Sequence, residues 1–178
     1  MNFLIYSVVY VLLQRVKQYC VLSKWLSLHL SCCFEYHNTR AEDIMFSVRT
    51  KVNFYETDAM AVVHHANYFR WFEMGRVEFL RKAGITLNEL MAKGIVFPIT
   101  EVSCKYKASA KFDDWIVIEV TPTALTPVKM AFTYQVFREA DHTLLAEGKT
   151  QNLFTNMEGK IIRLEAGYVE KLKKIAEL

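Results

Sequence analysis

Between Tyr55 and Tyr68 the chain gathers one carboxylate, Asp58, and two imidazoles, His64 and His65, around the apolar run Ala59–Val63. An aspartate of ordinary acidity is ionised at neutral pH, so Asp58 is available as a nucleophile or as a general base. Imidazoles orient or relay protons. An aromatic helix start follows at Asn67-Tyr68, and a helix entry leaves backbone N–H groups without partners. Such a stretch can line a pocket that holds a carboxylate, imidazoles and free amides. Plainer roles compete with that reading. Asp58 also suits a turn or a helix N-terminus, and His65 a cap or an interface.

Other motifs carry less. Gly148-Lys149-Thr150 resembles the end of a phosphate loop, but position 143 is Thr where that loop needs Gly, and the triplet falls inside a strand pattern. No serine stands in a GxSxG elbow. Cys104 lies in an alternating strand and reads as a packed or surface thiol. No HxxxH or HExxH accompanies His64-His65, so neither a metal nor a cofactor is expected. The four cysteines form no CxxC pair and no disulfide framework.

The elements that must position this segment are legible from periodicity. Residues 47–55 alternate, with Val48, Thr50, Val52 and Phe54 on one side, and predict a strand. Residues 66–82 recur at helical spacing through Tyr68, Phe72, Gly75, Val77, Phe79 and Leu80, with Gly84 as a stop. A glycine inside a helix costs about 1 kcal/mol relative to alanine, so Gly75 implies a close neighbour, such as a sheet wrapped on the helix. Thr86-Leu87-Asn88-Glu89 fits a capping box opening a short helix that ends at Gly94. Strands are predicted over 95–107, 115–124, 128–139 and 143–155, and a surface helix over 165–177. One apolar helix with an antiparallel sheet is an α+β arrangement, and hairpin-spaced strands exclude a doubly wound parallel sheet.

Composition divides the chain near Met45. All 6 glycines and all 3 prolines follow that point. Three readings fit residues 1–44: a weak membrane-surface helix, a helical extension or, the one favoured, a stretch outside the fold ahead of a natural start at Met45; residues 45–178 are read as the folded domain. The opening apolar run has no basic residue before it and is too short to span a membrane, so neither a secretory signal nor membrane contact is expected. With 22 basic and 19 acidic groups the net charge is +3, which argues against nucleic-acid binding through a concentrated basic surface. A cytoplasmic globular protein is expected.

The segment Tyr55, Thr57, Asp58, Val62, Val63, His65 and Tyr68, followed on the helix by Glu73 and Arg76, resembles the 4-hydroxybenzoyl-CoA thioesterase family of hotdog-fold proteins. Asp113-Asp114 resembles the acidic pair ahead of that family's third strand, and the likeness extends over about residues 46–170. It implies a five-stranded antiparallel sheet wrapped around one long central helix, and hydrolysis of acyl-CoA thioesters. It assigns Asp58 as nucleophile or general base. The His65 backbone N–H would polarise the carbonyl, and its side chain would orient water or substrate. Substrate contacts are implied at Val63, His64, Ala66, Tyr68 and Glu73. For Glu73, an ion pair with Arg76 is an equal alternative. A homodimer or homotetramer follows, with sites between subunits. Three positions depart from the family pattern. Glu56 stands where Asp or Gly is common, a change expected to matter little. Ala61 replaces a usual Gly, and His64 an aromatic. Two rival functions remain at this stage: a hotdog dehydratase of 3-hydroxyacyl thioesters, and a non-catalytic module that binds acyl-CoA.

Overall fold

The structure is a computed structural model that describes residues 46–176. The expectations about residues 1–44 lie outside the described residues. Within them the order is β1 (Phe46–Lys51), a 3-10 turn (Phe54–Glu56), α1 (Asn67–Lys82), α2 (Leu87–Ala92), β2 (Ile99–Tyr106), β3 (Trp115–Leu125), β4 (Lys129–Arg138), β5 (Thr143–Leu153) and α3 (Ala166–Ala176). The strands form one antiparallel sheet in the spatial order β1-β3-β4-β5-β2. The sheet packs its inner face on α1, which is the hotdog arrangement that the family resemblance implies.

Period-two alternation builds that inner face. Ile116, Ile118 and Val120 from β3 and Met130, Phe132, Tyr134 and Val136 from β4 are all buried, and α1 meets them with Trp71, Phe72, Phe79 and Leu80. Burying each large side chain contributes roughly 1.5–3 kcal/mol. Phe72 stacks on Tyr134 at 4.4 Å and Phe79 meets Phe132 edge-on at 5.2 Å. Two glycines permit the close approach. A Cβ on Gly75 would stand 2.6 Å from a Val120 methyl, and one on Gly148 would overlap the Phe72 ring. Gly148 thus serves packing, which explains the glycine in the false phosphate-loop triplet.

Three local expectations are corrected. The first strand stops at Lys51 rather than continuing to residue 55, because the chain turns into a 3-10 segment capped by Asn53 and Glu56. Phe54, expected on the same side as Val52, is exposed as a result, whereas Val52 is buried. The strand expected over 95–107 begins only at Ile99, after Pro98, with a single bridge between Val96 and Thr155 ahead of it. At the start of α2, Thr86 Oγ1 accepts the Glu89 N–H at 3.2 Å, but the expected reciprocal half of the box is absent. The Glu89 carboxylate instead accepts the Tyr168 hydroxyl at 2.5 Å, which ties α2 to α3 and holds that carboxyl below its ordinary range.

Candidate active site

The loop between the 3-10 turn and α1 is closed on itself. Asp58 N–H donates to the Val62 carbonyl at 2.9 Å, and Ala61 N–H returns to the Asp58 carbonyl at 2.9 Å. The Met60 N–H donates to Asp58 Oδ1 at 2.8 Å, an Asx turn that orients the carboxylate. Asp58 Oδ2 has no hydrogen-bond partner among the described residues. Ala61 reaches this geometry with φ of 56°, the left-handed region that costs an L-residue about 1–2 kcal/mol and that glycine adopts freely. Asp58 itself is half-buried.

Downstream, His64 N–H donates to the Glu56 carbonyl and Asn67 N–H to the His64 carbonyl, both at 2.9 Å. In a trans peptide the His65 N–H points opposite to the His64 carbonyl, hence away from the helix it precedes. Among the described residues that amide has no partner. The Ala66 N–H is occupied, donating to His64 Nδ1 at 3.3 Å. Ala66 caps α1 without any side-chain acceptor, so the positive end of the helix faces the loop unneutralised.

The opposite wall comes from β2 and the segment after it. Tyr106 donates its hydroxyl to the His65 carbonyl at 3.1 Å and meets Tyr68 edge-on at 5.1 Å. Partial burial and the neighbouring Cys104 thiol push the Tyr106 phenol up to about 12, which keeps it a neutral donor at working pH. Val63 N–H donates to the Ala110 carbonyl at 2.8 Å. Arg138 braces the same segment, donating to the Ser109 carbonyl at 2.8 Å and to Asp114 Oδ2 at 3.2 Å. The two walls enclose a cleft of about 330 Å³ in which Asp58, Val63, His65, Tyr68 and Tyr106 come together.

Three of the expected substrate contacts lie outside the cleft. His64 stacks obliquely on His65 at 4.1 Å and does not line the cleft. Ala66 is exposed beside it. Glu73 is exposed on α1, with its carboxylate 3.8 Å from Arg76, the ion pair weighed as its alternative. Among the described residues no three His, Cys, Asp or Glu side chains converge as metal ligands would.

Sequence reasoning overlooked two residues that matter here. Tyr106 falls in phase with Val102 and with the partly buried Cys104, so the alternation of β2 could have pointed to it. Glu56, given little weight, is buried, and its carboxylate accepts from Trp71 Nε1 at 2.9 Å and from Asn53 N–H at 2.7 Å. No periodicity marks it, since a glutamate in a polar break reads as solvated.

The sequence profile of the thioesterase-like superfamily matches residues 52–177. A protein of Aquifex aeolicus described as a putative esterase is 34% identical over 128 residues, covering 72% of this chain and 98% of that one. The acyl-CoA thioester hydrolase YbgC of Escherichia coli is 31% identical over 105 residues, covering 59% of this chain and 78% of its own length. Among solved structures, a DHNA-CoA thioesterase from Staphylococcus aureus superposes with a TM-score of 0.71 at 25% identity, covering 75% of this chain and 92% of that one.

Proposed function

Since this chain belongs to the thioesterase-like superfamily, we propose that Asp58 drives hydrolysis of the thioester while the His65 N–H receives the oxyanion. The enzyme is an acyl-CoA thioesterase, releasing a free acid and coenzyme A. Two routes use the same atoms. In one, Asp58 Oδ2 adds to the acyl carbon, the C–S bond breaks with loss of the coenzyme A thiolate, and water hydrolyses the mixed anhydride. In the other, Asp58 takes a proton from the water that attacks. Either way charge collects on the carbonyl oxygen, where one preorganised donor is typically worth about 10²–10³ in turnover.

The observation that carries the assignment is the pairing, on residues lining one cleft, of an Asx-oriented carboxylate and a helix-entry amide, with Oδ2 and that N–H both without partners among the described residues. Asp58→Asn keeps the shape and removes the charge. Release of free thiol from acyl-CoA should fall about 10³-fold, in the range general-base or nucleophile loss produces, with the melting temperature nearly unchanged. Wild-type turnover in that variant would remove Asp58 from its role.

The active form is a homodimer, or a tetramer of two such pairs. Edge strand β2 supports this: its unpaired backbone groups and the half-exposed Ile99, Val102 and Tyr106 suit pairing with a second copy about a two-fold axis. Antiparallel pairing about the middle of β2 brings Tyr106 of one copy near Ile99 of the other, so each cleft borders its partner. Sedimentation should give a dimer or larger, and an active monomer would contradict it. The extension over residues 1–44 is dispensable and the location cytoplasmic. A chain begun at Met45 should stay soluble and active.

A further inference from the structure

We infer that Glu56 is a positioning residue whose buried side chain aims both reacting groups, Asp58 and the His65 N–H, and that turnover depends on it. The inference rests on the assignment of Asp58 above.

Five hydrogen bonds converge on this one residue. Its carboxylate accepts the Asn53 N–H at 2.7 Å and Asn53 Nδ2 at 3.1 Å on Oε2, and the Trp71 indole N–H at 2.9 Å on Oε1. Its backbone carbonyl accepts Asn67 Nδ2 at 2.7 Å and the His64 N–H at 2.9 Å. The donors belong to three separate pieces: the end of the chain leaving β1, the loop that enters α1, and the first two turns of α1. Trp71 is fully buried in the core, so its indole is a fixed post. Glu56, only 6% exposed, is the point where that post holds the loop.

Asp58 is two residues from Glu56 on one side of the loop. His65 follows directly on the other side from His64, whose N–H is bound to the Glu56 backbone carbonyl, a group the anchored side chain holds in place. The loop between them carries its own internal bonds around Asp58 and therefore moves as a unit. Loss of the Glu56 carboxylate leaves that unit intact but unaimed. A misplacement of about 1 Å in a reacting group can cost about 10²-fold in rate. Substrate binding draws on surfaces the carboxylate does not touch, so the effect falls on kcat and not on KM.

Glutamine tests the arrangement with minimal change of shape. One oxygen becomes an NH2 group, and whichever way the amide turns, a donor faces a donor from Asn53 or Trp71. Aspartate keeps the charge but, one methylene shorter, reaches only one of the two.

The experiment measures thiol release from an acyl-CoA by wild type, Glu56→Gln, Glu56→Asp, Trp71→Phe and the Glu56→Gln/Trp71→Phe pair, with melting curves for each and Asp58→Asn as reference. We expect kcat to fall about 30- to 100-fold in Glu56→Gln at KM within threefold of wild type, and several-fold in Trp71→Phe. The double variant should be no slower than Glu56→Gln alone, because the two residues act through one bond. Glu56→Asp should recover part of the loss. A folded Glu56→Gln with wild-type kcat, a loss carried wholly by KM, or additive losses in the double variant would each overturn the inference. Where Glu56→Gln does not fold, Glu56→Asp decides: a reduced kcat at unchanged KM supports positioning, and wild-type kcat refutes it. An active Asp58→Asn would instead strike the assignment of Asp58, while an inactive Asp58→Asn beside a fully active Glu56→Gln would strike only the role of Glu56.

Discussion

The middle of α1 and the loop at its start are held by opposite means. At the middle, Gly75 and Gly148 bring backbone against side chain, and Phe72, Tyr134 and Val120 touch with no room for another carbon. At the start, hydrogen bonds set the geometry: an Asx turn at Asp58, a left-handed Ala61, Tyr106 on the His65 carbonyl and Glu56 on three segments. Apolar packing is non-directional and fixes where the helix lies. Hydrogen bonds are directional and fix where a carboxylate oxygen and an amide point. Stability and chemistry should therefore respond to different substitutions.

The sharpest way to break that contrast is Gly148→Ala. The added methyl meets the Phe72 ring, itself pinned on Tyr134, and overpacking of this kind costs about 3 kcal/mol. Denaturant melts should record that loss, while kcat per folded molecule stays near wild type. A smaller and opposite effect is expected at Ala61→Gly. Glycine relieves the left-handed strain but gains freedom in the unfolded chain, for a net stabilisation of roughly 0.5 kcal/mol. Turnover should hold, since the Asx turn does not need the methyl. A destabilised Ala61→Gly would mean that Ala61 makes contacts the loop geometry does not suggest.

The contrast also explains what the sequence disclosed. Helical recurrence through Tyr68, Phe72, Phe79 and Leu80 marked α1, and Gly75 announced a close neighbour, because core packing writes itself as periodicity. Strands β3 to β5 were legible over 115–124, 128–139 and 143–155 for the same reason. Where hydrogen bonds decide, the pattern misled. Residues 52–55 continue the alternation of β1, yet Asn53 and Glu56 cap each other and end the strand. Thr86 and Glu89 spell a capping box, yet Tyr168, distant in sequence, captures the Glu89 carboxylate. Gly148 showed only as a glycine in a strand, since its partner Phe72 is known only after folding. Asp58 and His65 were legible through the resemblance, and the cleft brings them together. Glu56 was not, because burial of a charged residue depends on donors brought from elsewhere in the fold.

The central claim is that Asp58 and the His65 N–H address one carbonyl. Isotope-edited infrared spectroscopy of a ¹³C-carbonyl acyl-CoA bound to Asp58→Asn tests it most directly. The account predicts a lowered carbonyl stretch on binding, from the hydrogen bond donated by His65, and a smaller shift when Tyr106→Phe frees the His65 carbonyl. A carbonyl band unchanged from that of free acyl-CoA in water would contradict it.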